Sequence, residues 1–322
     1  MVNSKKKISA RKILEENGIL IAFVIICIIL SFASPHFLTS ANLFNVLRQI
    51  STIGIATIGV GMLIVMGTID LSIGSTFALA GIIAGLTVST GIGGFGLHPV
   101  LGFAVGIGTG IFIGAFNGVI VAKARIPAFI VTMGMMSICR GLALIFARGM
   151  PIGSFPEGFN WLGSAFIGPI PLPVIVFVLV AIFVWFLMEK RPLGRYIYAV
   201  GSNETAARAA GINVDRVKIK TYLIHGAMVG LSATVLASRM RSAAPGLGVG
   251  FELDAIAGAI IGGVSFTGGI GRVQDMVLGA LLIGIINNGM DLLGVGAFYK
   301  QIVMGSLIII AVLIDRNRSG RG

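Results

Sequence analysis

Polar side chains inside apolar segments are the residues of this chain best suited to act on a solute or an ion. The candidates are Asp70, Ser72, Asn117, Asp254, Asn287 and Asn288. A carboxylate within a membrane-spanning segment is a candidate functional residue, but at the start of a helix it is also a common cap. Buried amides either hold helices together or line a polar path. Both interpretations therefore stay open for these residues.

The chain has no residue pattern that is typical of an enzyme or a metal protein. His36, His98 and His225 are scattered and lack metal-ligand spacing, and no serine or cysteine has a recognisable histidine partner. Cys27 and Cys139 lie in separate apolar runs, which favours two buried thiols without a disulfide. No GxxxxGK[ST] loop occurs, so we expect no catalytic residue, no metal site and no ATP hydrolysis in this chain.

Composition indicates that most of these residues belong to membrane-spanning helices. Of the 322 residues, 56% are hydrophobic and only 11% are charged, whereas soluble domains carry about 25% charged residues. Several apolar runs approach the roughly 20 residues that a spanning helix needs. We therefore predict an all-α polytopic membrane protein, a single transmembrane domain over residues 1–322, with about ten spans. The predicted spans are 18–33, 50–66, 76–90, 100–122, 128–146, 172–188, 221–237, 254–264, 273–293 and 298–314.

The net charge of +12 has a topological cause. Basic residues concentrate in residues 1–17, in the short loop that contains Lys123 and Arg125, in residues 193–220 and in residues 315–322. An excess of Lys and Arg in alternate loops marks the cytoplasmic side of a membrane protein. We therefore place both termini and residues 193–220 in the cytoplasm and exclude a nucleic-acid partner.

Residues 193–220 form the longest hydrophilic stretch between two apolar halves. Within this stretch, Ser202 or Asn203 is suited to cap a helix, Glu204 suits the positive end of its dipole, and Gly211 is suited to end it. The pattern predicts an exposed helix of about two turns, which is too short to be stable alone. We therefore expect a partner to stabilise it.

The same short helix has features of a docking element. Its small side chains at Ala206, Ala207, Ala209 and Ala210 are expected to fit a groove on the partner, and Glu204 is expected to pair with Arg208, four residues later. The residues assigned to docking are Gly201, Ser202, Asn203, Glu204, Ala207, Arg208 and Gly211.

Two further patterns concern how the spans pack. Glycine recurs at every fourth residue from Gly102 to Gly118, a ridge that lets a neighbouring helix approach closely. Residues 113–117 resemble residues 283–287, and Asp70 and Asp254 open spans that are predicted to run in opposite directions. This combination indicates an inverted repeat, which is common in transporters.

Three long motifs resemble a known family. They are TIDLSIGS at residues 68–75, GRYIYAVGSNETAAR at residues 194–208, and ELDAIA followed by GGVS and GGIG within residues 252–271. All three resemble segments of the permease subunit of ribose-type ABC sugar importers, and the likeness extends from about residue 35 to residue 315. The departures are small, because Thr68 and Ser202 stand where the family usually has glycine.

The resemblance implies a permease of about ten helices in the bacterial inner membrane, with ribose or a similar monosaccharide as substrate. It implies a second permease subunit, identical or different, a cytoplasmic ABC ATPase, and an extracytoplasmic sugar-binding protein. ATP and Mg would be bound by the ATPase, so this chain is expected to need no cofactor. Residues 201–211 match the loop that contacts the ATPase. We expect only weak sugar binding in the path, because no cluster of aromatic and charged residues stands out in the spans.

Two alternatives belong to other classes of transporter. One is an ion-coupled secondary transporter that uses Asp70 or Asp254 as a proton carrier. The other is a passive channel for small polar solutes. Both predict transport without a soluble ATPase, so association with a P-loop protein discriminates them from the importer.

Overall fold

The computed structural model describes residues 10–91 and 93–319, with side chains described for residues 18–91 and 93–313. Residues 1–9 and 320–322, which belong to the predicted cytoplasmic termini, lie outside the described residues. The described chain is mostly helical, with one small antiparallel ladder between β1 (Phe166–Ile167) and β2 (Ile170–Pro171). The predicted all-α class is therefore confirmed.

Every predicted span falls on a helix. The helices are α1 (Ala10–Ala33), α2 (Ser40–Val65), α3 (Ile73–Val88), α4 (Pro99–Val119, continued by a π-helical turn, Ile120–Ala124), α5 (Ala128–Ala147), α6 (Glu157–Ser164), α7 (Leu172–Lys190), α8 (Pro192–Ser202), α9 (Glu204–Ala209), α10 (Val214–Met240), α11 (Phe251–Ile261), α12 (Val273–Leu292) and α13 (Ala297–Ser319). Sequence reasoning missed α8, which buries Gly194, Ile197 and Val200.

Within the described residues, six helices are long and apolar enough to cross a membrane, namely α2, α4 with its π turn, α5, α7, α10 and α12. Shorter apolar helices cover Gly18–Ala33, Ile73–Val88 and Ala297–Leu313. The chain is therefore a multi-pass membrane protein. The larger number of about ten spans stays a prediction, because helix length and composition alone do not identify the remaining helices as spans.

Helices α2 and α10 form the centre of the bundle. Within the most apolar stretch of 18 residues in each helix, 89% of the residues are buried in α2 and 72% in α10, but only 28% in α5. A helix that is apolar all round is suited to burial within a bundle. The exposed apolar residues of α5 are suited to lipid or to another subunit.

The glycine ridge of α4 packs directly on α10. A Cβ atom at Gly110 would lie 2.1 Å from the carbonyl oxygen of Gly226, and one at Gly114 would lie 2.3 Å from that of Tyr222. Gly226 faces Gly110 in the same way, at 2.2 Å from its carbonyl oxygen. The two backbones are in direct contact, as small residues permit. The predicted role of the ridge is confirmed.

Two breaks in the helices carry the polar candidates. Helix α2 ends at Val65, and Gly67 follows with a φ of 77° before α3 begins. Gly248 and Gly250, with φ of 76° and 80°, precede α11. Such left-handed backbone favours glycine. Short helices that begin after irregular backbone occur in transporters, where backbone and acidic groups at such positions contact a solute path.

Candidate coupling segment and polar sites

Helix α9 has the ends that its sequence predicts. Asn203, not Ser202, is the N-cap, and its side-chain oxygen accepts a hydrogen bond from the Ala206 N–H at 2.9 Å. At the other end Gly211 adopts a φ of 84°, and its N–H and that of Ile212 donate back to carbonyls of the last turn. This is a glycine-ended Schellman motif. Ser202 instead ends α8.

Charged side chains tie α9 to the start of α10. Glu204 pairs with Arg208 at 3.0 Å, as predicted, and also with Lys218 at 2.7 Å. Arg208 in turn contacts Asp215 at 2.8 Å. Partial burial raises the pKa of Glu204, but the hydrogen bonds from Lys218 and Arg208 outweigh it and leave this pKa below its ordinary value. These ion pairs connect α9 to the first two turns of α10 and so define the orientation of α9 relative to α10.

The side chain of Ala207 does not lie on the outer face of α9, which corrects the expectation that it enters a groove on a partner. Only 5% of Ala207 is exposed, and it packs with the core of this chain. Ala206, Ala209 and Ala210 are exposed instead. These three small residues therefore form the free surface of the helix, while Ala207 anchors it to the bundle.

Gly201, at the end of α8, joins the coupling segment (residues 201–211) to the end of α2 and to the turn between α11 and α12. A Cβ atom at Gly201 would lie 1.8 Å from the Val65 carbonyl oxygen at the end of α2 and 2.7 Å from the Gly269 N–H nitrogen. The same Gly269 N–H donates to the Val65 carbonyl at 2.8 Å. A Cβ at Gly268 would meet Gly67 and Gly201. We call Gly67, Gly201, Gly268 and Gly269 the glycine junction.

Three of the candidate path residues form one buried group at the first break. The Asp70 carboxylate accepts hydrogen bonds from the backbone N–H and the hydroxyl of Ser72, at 2.7 and 2.6 Å. The Asn117 side-chain amide donates to the Ser72 oxygen at 3.2 Å. Asp70 therefore closes an Asx turn rather than capping α3. Asn117 joins α4 to this turn, and all three residues are buried.

His225 completes this group, and sequence reasoning missed it. Its Nε2 lies 3.2 Å from the second oxygen of Asp70, and the two side chains are 1% and 5% exposed. His225 belongs to α10, the helix that begins directly after the coupling segment. No local signal in the sequence pairs two residues 155 positions apart. The contact depends on the close packing of α4, α2 and α10.

The second break has a related but simpler arrangement. Asn287 on α12 donates its side-chain amide to the carboxylate of Asp254 at 3.1 Å. Asp254 lies within the first turn of α11, where an acid is favourable, and Gly250 is the N-cap. Asn287 and Asp254 both border a cavity. Two residues predicted separately are thus brought together at one site.

Asn288 has a different environment from its neighbour Asn287. It exchanges two hydrogen bonds with Asn42 on α2, at 2.8 and 3.0 Å, and both side chains are buried. Reciprocal amide bonds hold helices together in an apolar environment. Of the two interpretations left open for Asn288, the geometry favours the link between helices. Within the described residues, no cluster of three or more His, Cys, Asp or Glu is placed to hold a metal ion.

Comparisons with known proteins identify the family. The family model for the branched-chain amino acid transport system permease component matches residues 42–312. The ribose import permease protein of Escherichia coli strain K12 is 40% identical over 95% of both chains. The chain belongs to the permeases of ABC sugar importers. The ribose import permease protein of Bacillus subtilis strain 168 is 39% identical over 98% of this chain and 97% of its own.

Another relative is named for a different sugar. The D-allose transport system permease protein of Escherichia coli strain K12 is 38% identical over 91% of this permease and 89% of its own length. No solved structure gives a significant match. This permease is therefore the membrane component of an importer that also needs an ATPase and a substrate-binding protein. The interpretations as an ion-coupled transporter or a passive channel receive no support from these relatives.

Proposed function

We propose that this permease is the non-catalytic half of an ATP-driven monosaccharide importer and that residues 201–211 couple it to the ATPase. The glycine junction carries this proposal, because it places Gly201 against the end of α2 and against the Gly268–Gly269 turn. A force on α9 acts on the end of α2 and on the turn between α11 and α12 through these backbone contacts. The partner ATPase binds ATP and Mg, and this chain supplies neither a nucleotide site nor a cofactor.

The outer face of α9 suits insertion into a groove. Ala206, Ala209 and Ala210 present no bulky side chain, and the ends of the helix are satisfied by Asn203 and Gly211. Glu204, Arg208 and their partners keep the helix rigid against α10. A rigid, small-faced element transmits displacement better than a flexible loop, since packed elements move as units.

We place the chain in a bacterial inner membrane as one transmembrane domain with about ten crossings and both termini in the cytoplasm. The clustering of basic residues supports this orientation. Glu204→Cys is then expected to resist an impermeant thiol reagent added outside cells, whereas Ser154→Cys is expected to react. Outside labelling at position 204 would reverse the orientation.

The path is proposed to follow an inverted repeat. In the first half an amide on α4, Asn117, reaches Asp70 through Ser72. In the second half an amide on α12, Asn287, reaches Asp254 directly. Each acid lies at the start of a short helix that follows a break. The similar placement supports the proposed repeat and the role of both groups in solute passage.

We further propose that a second permease subunit completes the path and that ribose or a similar monosaccharide is the substrate. The ribose import permeases of two bacteria support this choice through 39–40% identity along nearly the whole chain. Reconstitution with the ATPase and the binding protein tests the proposal. D-ribose uptake is expected to require ATP hydrolysis. Uptake driven by a proton gradient without ATP would instead support the ion-coupled alternative.

A further inference from the structure

A cavity with both polar and apolar walls lies at the end of the bundle opposite to the coupling segment. Helix α10 begins beside α9, and its last residues, Arg239 and Met240, line the cavity. At 1.5 Å per residue, the 27 residues of α10 separate the two ends by about 40 Å. Helices α2, α11, α12 and α13 supply the remaining walls. The cavity has a volume of about 410 Å³, within the ~300–1,000 Å³ of ordinary ligand pockets.

Unsatisfied polar groups point to a ligand in this cavity. The side-chain oxygen of Gln49 is buried and has no hydrogen-bond partner within the described chain. A buried acceptor without a partner costs about 1–3 kcal/mol. Asp254 and Asn287 use only one carboxylate oxygen and one amide N–H on each other. Among the described residues, the Asp254–Asn287 bond leaves the other carboxylate oxygen and the amide oxygen at the cavity lining available to a solute.

Charge and shape restrict what this solute is. Arg239 donates to Asn45 through one guanidinium nitrogen, which leaves further donors of its five. Arg239 and Asp254 bring opposite charges to the lining of the same cavity, and Lys300 pairs with Asp291 there. A neutral solute with several hydroxyl groups satisfies such a mixture of acceptors and donors, whereas a charged one would disturb the balance.

An apolar wall completes the site. Phe251 lines the cavity, and its ring packs on that of Phe77 with centroids 4.6 Å apart. Ile53, Leu236 and Met304 lie beside it. Small-molecule sites combine apolar and aromatic walls with a few well-placed polar groups. A sugar ring has C–H bonds on its faces and hydroxyls at its edge, so it matches this division.

We propose that this cavity is a monosaccharide-binding site in the permease itself. The hydroxyls contact Gln49, Asp254, Asn287 and Arg239, and one face of the ring lies on Phe251. The inference rests on the proposed function for its choice of sugar. It assigns sugar recognition to the membrane subunit in addition to the binding protein, at the end of the path away from the ATPase.

Protection of a cysteine at the cavity wall tests this site without the ATPase or the binding protein. Val249 lines the cavity and is exposed, so Val249→Cys is expected to react with a water-soluble maleimide in the full-length permease in nanodiscs. D-ribose, D-allose and L-arabinose at millimolar concentrations are the probes. At least one sugar is expected to slow the reaction at position 249 by 3-fold or more. The control is Met150→Cys, which is exposed near the same end of the bundle and outside the cavity lining.

Gln49→Leu tests the proposed hydrogen bond between the Gln49 side chain and a sugar hydroxyl. Because the Gln49 oxygen has no partner in the protein, its removal is expected to leave the fold intact, and the elution profile of the purified permease checks this. Loss of one hydrogen bond to the sugar is expected to raise the half-protection concentration by about 3- to 10-fold. An unchanged concentration would overturn the assigned contacts.

Two outcomes of the cysteine-protection assay would contradict the proposed sugar site. Equal slowing at positions 150 and 249, or no slowing by any of the three sugars, would overturn the site. Because the assay contains only the permease, such a result leaves the proposed coupling to the ATPase untouched. Conversely, if the full complex failed to import sugar with ATP, sugar protection at position 249 would be unaffected, because the protection assay contains only the permease.

Discussion

Replacement of Gly110 by alanine has two opposite effects on stability, one through helix propensity and one through the packing of α4 on α10. Alanine in place of a helical glycine favours the helix by about 0.5–1 kcal/mol. The new Cβ, however, would lie 2.1 Å from the Gly226 carbonyl oxygen and 2.8 Å from the Gly230 nitrogen. Both are backbone atoms of α10, so no side chain can rotate away. Because ordinary contact needs about 3.5 Å, α4 and α10 must separate by roughly 1 Å.

Packing is expected to outweigh propensity. Overpacking of this kind costs about 1–3 kcal/mol, so Gly110→Ala is expected to destabilise the permease by roughly 0.5–2 kcal/mol net. Gly108→Ala on the same helix is the matched control, because a Cβ there meets no atom within 4 Å. It is expected to be neutral or slightly stabilising.

The assay measures the midpoint of thermal unfolding of the purified permease in detergent. At each temperature, the readout is the fraction of protein that still elutes as folded permease after heating. Gly110→Ala is expected to lower the midpoint by several degrees, and Gly108→Ala is not. Equal midpoints for the two variants would refute the direct contact between the α4 and α10 backbones.

Three other perturbations follow from the same contacts. Asn288→Leu removes both hydrogen bonds to Asn42 and leaves the buried side-chain oxygen of Asn42 without its partner, so it is expected to lower stability by about 1–3 kcal/mol, measured by the same midpoint; leucine at both positions is expected to recover part of this loss. Because the Glu204 pKa is lowered in the folded permease, its pairs stabilise the fold above its ordinary pKa and are lost as pH falls through the lowered value. The midpoint difference between wild type and Glu204→Gln is therefore expected to be constant above about pH 5 and to shrink below it; a difference that is as large at pH 3 as at pH 7 contradicts this. Gly201→Ala is expected to reduce sugar uptake per ATP hydrolysed, because its Cβ would lie 1.8 Å from the Val65 carbonyl oxygen; unchanged stoichiometry in proteoliposomes would exclude the glycine junction from coupling.

Local features of the fold were readable from the sequence. The cap at Asn203 and the stop at Gly211 depend on residues within one turn, so the short helix could be predicted with its ends. The ridge on α4 depends only on a regular spacing of glycines. The predicted Glu204–Arg208 pair spans four residues of one helix and was found for the same reason.

Features that depend on packing between distant helices could not be predicted. His225 reaches Asp70 only because α4, α2 and α10 pack so closely. The burial of Ala207 depends on how α9 sits on the bundle. The proposed sugar cavity collects its residues from five helices, so no local spacing in the sequence indicates it. Phe251 and Gln49 carry no local signal of a shared site.

In the proposed mechanism, α9 transmits the work of the ATPase to the membrane helices. Ala206 is exposed on its free face, so Ala206→Trp is expected to fold normally yet obstruct insertion into the groove of the ATPase. Ala124→Trp is the control, since Ala124 is exposed in another predicted cytoplasmic loop.

The deciding measurement is ATP-driven sugar uptake by the reconstituted transporter, with the amount of co-purified ATPase recorded for each variant. Ala206→Trp is expected to lose most of its ATPase or to hydrolyse ATP without uptake, while Ala124→Trp retains both activities. Full ATP-driven uptake by Ala206→Trp would contradict the account and place the contact with the ATPase elsewhere on the permease.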